Sequence, residues 1–160
     1  MSEISSELSD AAKLNTRQRG QLAELAFMRK AASLGFAVSR PWQEGERYDV
    51  IVRADSIFWR VQVKSVLTRH QSRPSHHVQT VTGRDRRTYS ITEIDFLAAY
   101  IFEKDIWYIL PAATIATRQG IHVRPESPKC RYLQFREAWD LLKLNSVAPE
   151  LSQPLSKGAT

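Results

Sequence analysis

Residues 57–65 run Ile-Phe-Trp-Arg-Val-Gln-Val-Lys-Ser, and this stretch constrains the chain more than any other. Successive side chains of a strand point to opposite faces, so Ile57, Trp59, Val61 and Val63 share one face while Arg60, Gln62 and Lys64 share the other. The segment before it, Tyr48-Asp49-Val50-Ile51-Val52-Arg53, also reads as a strand, and Ala54-Asp55-Ser56-Ile57 is where the chain reverses. With Asp55-Ser56 as the loop, Val50 faces Val61, Val52 faces Trp59 and Asp49 faces Gln62. A slip of one residue would set the aliphatic face of one strand beside the polar face of its partner, which a half-buried sheet disfavours. Asp-Ser is a weaker hairpin turn than Asp-Gly or Asn-Gly, so a slip of two stays open.

Cross-strand neighbours have their Cβ atoms about 5 Å apart, so this register gathers Asp49, Gln62 and Lys64. The chemistry of the set is specific. A hard divalent cation takes oxygen ligands, and Asp49 supplies a charged one. Gln62 offers a neutral amide oxygen and Val63 a backbone carbonyl. The Lys64 ammonium is suited to orienting or deprotonating a water beside a phosphate and to opposing negative charge that develops there. A second carboxylate comes from upstream. Residues 16–34 read as a helix, with Asn15 or Thr16 as cap and Gly35 as stop. Gly20, Ala23, Phe27, Ala31 and Leu34 form its buried stripe, and Glu24 borders that stripe so that it points at the sheet. Taken singly, Glu24, Asp49 and Lys64 would each read as ordinary surface charge; the shared face makes them a site.

The ordered set Gly20-Gln21-Leu22-Ala23-Glu24, Tyr48-Asp49, Gln62-Val63-Lys64-Ser65, Asp95-Phe96-Leu97-Ala98-Ala99-Tyr100 and Trp107-Tyr108-Ile109-Leu110-Pro111 resembles the PD-(D/E)XK nuclease superfamily. It is most similar to the group I intron-associated homing endonucleases, in which Gln replaces the first acid of the (D/E)XK element. Tyr48 stands where the superfamily has Pro. The resemblance implies an α/β, restriction-endonuclease-like core with a mixed central β-sheet flanked by helices. It implies a metal-dependent DNA endonuclease, with Glu24, Asp49, Gln62 and Lys64 catalytic and Asp49, Glu24, Gln62 and Val63 holding Mg²⁺ or Mn²⁺. Gln21 stands beside this set as a supporting residue. Double-stranded DNA is the implied substrate, and cutting two strands implies a homodimer or homotetramer. Two other readings share the fold: a non-catalytic nucleic-acid-binding module, and a Holliday-junction resolvase.

The remaining sequence fits these expectations. The chain has 160 residues, 42% hydrophobic and 25% charged, which suits one domain with a core of its own. Its formal net charge is +6, compatible with a polyanionic partner. Basic residues concentrate at Arg69, Arg73, Arg84, Arg86 and Arg87, placed to follow a phosphate backbone, with His70, His76 and His77 interspersed and Tyr89 following. A lone Cys130 excludes an internal disulfide and a cysteine-rich zinc site and is in keeping with a reducing, cytoplasmic setting. His76 and His77, as strand neighbours, point apart and so are poorly placed to share one zinc ion. No stretch approaches the about 20 apolar residues of a membrane span. Residues 1–14 and 146–160 read as polar tails around a domain at 15–145. Within it, residues 78–82 read as a short strand, 94–102 as helix or buried strand, 106–110 as a strand ending at Pro111, and 135–144 as a closing helix. Trp42, Trp59, Trp107 and Trp139 sit in apolar segments and read as core.

Overall fold

The computed structural model describes residues 11–67, 74–83 and 85–143. Helix α1 (Thr16–Ser33) starts at a capping box in which Asn15 accepts from the Gln18 N–H and the Gln18 side chain accepts from the Asn15 N–H. Its end falls before Gly35, whose φ of 90° is a conformation that glycine adopts without a Cβ clash. Strands β1 (Ala37–Ser39), β2 (Val50–Ala54) and β3 (Ile57–Val66) follow. The β2–β3 hairpin has the expected register, Val50 opposite Val61 and Val52 opposite Trp59. Asp55 takes the left-handed conformation at φ 52°, which Asp tolerates better than most residues, and this lets a turn without glycine close the hairpin.

The chain continues through β4 (His76–Gln79), β5 (Val81–Thr82), β6 (Arg87–Thr88), β7 (Phe96–Ile101), β8 (Ile106–Pro111), the short α2 (Ala112–Ile115) and β9 (Gly120–Val123). The central sheet has the order β1-β2-β3-β7-β8, parallel between β3 and β7 and antiparallel elsewhere, so the architecture is α/β with a mixed sheet. Two small ribbons, β4–β9 and β5–β6, stand apart from it. Residues 94–102, which periodicity leaves between helix and strand, contain β7, buried at every position. Covering on both faces explains that pattern. Ala98 and Tyr100 pack into one core with Phe27, Trp107 and Trp139; Leu97, Ala99 and Ile101 pack into a second with Val78, Tyr89 and Ile121. Phe27 anchors α1 on the sheet, its ring 5.4 Å from those of Trp107 and Trp139. Ala11, assigned to the tail by composition, is buried in the same core. Among the described residues no helix is long and apolar enough to cross a membrane.

Several expectations are corrected. Residues 78–82 are not one strand: the chain breaks at Thr80, whose side chain and backbone turn to Arg118 and Gln119, and the two halves join different ribbons. The closing helix is replaced by two 3-10 turns, Leu133–Phe135 and Trp139–Leu142, separated at Glu137 with φ 49°. The Glu137 carboxylate accepts from the Trp107 N–H at 2.7 Å and from Trp139 Nε1 at 2.8 Å, bonds that a continuous helix would forfeit. Leu34 is exposed, since it caps α1 beyond the covered stripe. Trp42 is 99% exposed on the loop between β1 and β2 and belongs to no core, whereas Trp107 and Trp139 are buried and Trp59 packs at the margin.

The parallel junction of β3 with β7 is pinned at its start by one side chain. Asp95 accepts from the Arg60 backbone N–H at 2.7 Å and grips the Arg60 guanidinium through both oxygens, at 2.9 and 3.0 Å. Arg60 also donates to the Thr92 and Ile91 carbonyls, tying the approach to β7 against β3. Replacing Asp95 with Ala strands a strand N–H and an arginine, at a cost of about 1–3 kcal/mol. We therefore expect Asp95→Ala to lower the melting temperature by roughly 3–10 °C, measured by circular dichroism; an unchanged value would show that the pin contributes nothing.

Candidate active site

Strand β2 accompanies β3 only as far as the pair Val50 and Val61, whereas β7 runs beside β3 to Val66. Residues 62–66 thus have a strand neighbour on one side only. On the open side the next backbone donor, the Val63 N–H, finds no strand carbonyl and turns instead to Asp49 Oδ2 at 2.8 Å. An aspartate just before β2 therefore completes the hydrogen bonding of the edge, as buried N–H groups require. The Gln62 amide also donates to Asp49 Oδ2, and to the Val63 carbonyl at 3.1 Å. Two oxygens, one charged and one neutral, thus converge on a single donor.

Gln62 is only 7% exposed, so the polar face expected of β3 is covered at this point rather than open. Burial governs the titration of its neighbours. It raises the Asp49 carboxyl above its ordinary value, opposed in turn by the Val63 N–H bond, the positive charges of Lys64 and Arg40, and the Gln62 amide. It raises Glu24 as well, reinforced by the negative charge of Asp49 and opposed by Arg40. Glu24 on α1 and Asp49 are therefore close enough to repel, and Arg40 Nη2, 2.7 Å from Glu24 Oε2, relieves part of that repulsion. Burial lowers the Lys64 ammonium; Asp49 opposes this and Arg47 adds to it.

Asp49, Gln62 and Val63 are thus joined by hydrogen bonds, and Glu24 and Lys64 lie near enough to Asp49 for its charge to act on both. Gln21 lies exposed on α1 one turn before Glu24. Arg86 is exposed just before β6 and Arg87 is exposed on β6 itself, where it pairs with Glu93 at 2.9 Å. Arg69, Arg73, Arg84 and His70 lie outside the described residues. His76 and His77 occupy opposite faces of β4, buried and exposed in turn. Among the described residues no group of three or more His, Cys, Asp or Glu side chains gathers to hold a metal. A cation at Asp49 and Glu24 would have two carboxylates and would complete its shell from neutral oxygens.

Three contributors escaped the sequence reading. Arg40 and Arg47 come from the loop between β1 and β2, where no periodicity applies, although Arg47 has the same parity as Asp49. Tyr89, read in the sequence only as the residue that follows the basic run, is buried in the fold, with the Arg47 guanidinium 4.8 Å and the Lys64 ammonium 5.5 Å from its ring centre.

The raised carboxyls carry a stability consequence of definite sign. A group whose folded pKa exceeds its unfolded one favours the fold below the unfolded value, and that contribution is lost as pH rises through the folded value. At neutral pH, Glu24 and Asp49 therefore destabilise the metal-free protein. Glu24→Gln should raise its melting temperature at pH 7 by about 1–2 °C, a gain that shrinks as pH falls through the raised folded value and vanishes below the ordinary carboxyl value of about 4.3. A gain independent of pH would contradict this electrostatic account.

The model of a family of PD-(D/E)XK endonucleases matches residues 14–142. No curated protein matches the chain. Among solved structures, that of a bacterial homing endonuclease, I-Ssp6803I, is similar with a TM-score of 0.71, at 26% identity over 81% of this chain and 94% of that one. The mixed sheet with α1 on one face is thus that of a nuclease fold, and the chain belongs to the PD-(D/E)XK endonuclease family.

Proposed function

We propose that this protein is a Mg²⁺-dependent endodeoxyribonuclease of the homing type, cutting double-stranded DNA in the cytoplasm as a homodimer or homotetramer. The observation that carries the reading is the convergence of Asp49, Glu24 and Lys64 at the open edge of β3. The donor set fits a hard cation. Two carboxylates held above their ordinary pKa by burial, with Asp49's charge raising Glu24 further, gain from a nearby positive charge, and the Asp49 and Val63 oxygens already converge on one donor. Asp49, Glu24 and the Val63 carbonyl would hold Mg²⁺, or Mn²⁺ in its place, and the Gln62 amide oxygen would join them on turning its nitrogen away from Asp49. The bound ion would supply a Lewis acid for the phosphate and a more acidic water.

The chain's own residues do the rest. Lys64, with its ammonium destabilised by burial, gives up its proton more readily than an exposed lysine, so more of it is neutral and able to orient the attacking water and assist its deprotonation. While protonated it opposes the charge that builds on the phosphate. Gln62 keeps the site one negative charge below a three-acid set, which favours approach of a polyanion. Arg86 and Arg87, with Arg69, Arg73 and Arg84 of the same basic run, supply contacts to the DNA backbone.

Incubating the pure protein with plasmid and mixed-sequence DNA, in Mg²⁺ or EDTA, tests the activity. Lys64→Ala should reduce cleavage by about 10²–10⁴-fold with metal and DNA binding retained. Asp49→Asn should weaken Mg²⁺ binding together with cleavage. Cleavage in EDTA, or wild-type rates from Lys64→Ala, would overturn the assignment; folded protein that binds DNA but never cuts would leave a binding module. A separate expectation concerns charge. Changing Arg84, Arg86 and Arg87 together to Ala should weaken binding to every DNA sequence alike. It should also flatten the salt dependence by about one unit of slope per lost phosphate contact; an unchanged slope would remove these arginines from the interface.

A further inference from the structure

Tyr89 sits where three parts of the molecule meet. It is 2% exposed and directly follows the β5–β6 ribbon. The Arg47 guanidinium lies over its ring at 4.8 Å and the Lys64 ammonium at 5.5 Å. Arg47 is itself anchored, donating to Thr82 Oγ1 on β5 and to the Thr88 carbonyl on β6 at 3.2 Å, and pairing with Glu93 at 3.2 Å. One guanidinium therefore clips the two strands of the ribbon together and rests on the aromatic ring that also faces Lys64.

The hydroxyl of Tyr89 does not explain its place: buried, it has no hydrogen-bond partner among the described residues. What the ring offers is a negative π face in a dry setting, where attraction to a cation is strongest. Lys64 needs such a restraint. Its stem is flexible, and it is drawn toward Asp49 while the positive charge of Arg47 opposes it. We infer that Tyr89 is a positioning residue for Lys64, its ring fixing the ammonium beside Asp49 and, through Arg47, tying that position to the arginine-bearing β5–β6 ribbon. The inference rests on the nuclease reading of Lys64. It also gives the ribbon a second role, because DNA that seats on Arg86 and Arg87 would load the element that holds the lysine.

Two measurements test it, one independent of activity. Ring current should shift the Lys64 ε-CH₂ protons upfield in lysine-labelled protein, the shift surviving Tyr89→Phe and disappearing in Tyr89→Leu. In single-turnover cleavage, Tyr89→Leu should lower the rate at saturating DNA by about tenfold with the DNA dissociation constant unchanged. Tyr89→Phe, which keeps the ring and drops only the unpartnered hydroxyl, should restore the rate to within about twofold. A Lys64 resonance without ring-current shift would overturn the inference whether or not the protein cuts DNA. So would Tyr89→Leu cutting at the wild-type rate, or Tyr89→Phe failing as badly as Leu. A wild-type protein that shows the shift and cuts nothing would instead defeat the nuclease reading and leave the contact standing.

Discussion

The site depends on a strand that outruns its partner. Were β2 to accompany β3 to its end, the Val63 N–H would meet a backbone carbonyl and nothing would require a carboxylate there. Because β2 stops at Val50, the donor turns to Asp49, and an acid is fixed within 2.8 Å of the sheet. The parallel neighbour β7 makes this possible, since it holds residues 62–66 in strand geometry from the other side. The Arg60–Asp95 pin fixes the start of that parallel pairing, on the same strand that carries the candidate site at its far end.

Charge then decides what can stand at the open edge. Two carboxylates near each other and half withdrawn from water are unfavourable in the metal-free protein, and the surroundings offset this in different ways. Arg40 pairs with Glu24, the Val63 N–H and the Gln62 amide donate to Asp49, and Lys64 supplies positive charge. Gln62 is informative in this respect. A third carboxylate at its position would repel Asp49, whereas the amide donates to it, so the neutral residue lowers the cost of burying the acid.

Much of this was legible in the chain, and the reasons are local. The facing of the β2–β3 strands followed from parity, because a one-residue slip would have exposed Val50 and Val52, both fully buried here, while the slip of two that parity leaves open is excluded by the observed pairing of Val50 with Val61. The cap at Asn15 or Thr16 and the stop at Gly35 set the ends of α1 to within a residue. Less legible were features decided by contacts distant in sequence. The helix-or-strand ambiguity of residues 94–102 is resolved only by pairing with β3 and coverage from both faces. The missing closing helix turns on Glu137, whose carboxylate serves Trp107 and Trp139. Arg40, Arg47 and Tyr89 reach the site from loops, where neither period two nor period 3.6 marks a face. Trp42 followed composition in the sequence reading and solvent in the structure.

The proposed cation site at Asp49 is the claim on which the rest turns, and paramagnetic broadening addresses it directly. Titrating ¹⁵N-labelled protein with substoichiometric Mn²⁺ should broaden the amide resonances of Asp49, Gln62, Val63 and Lys64 first, together with those around Glu24, and excess Mg²⁺ should restore them. Broadening centred on His77 and His122, whose rings lie 4.9 Å apart on the β4–β9 ribbon, or spread evenly over the surface, would contradict it.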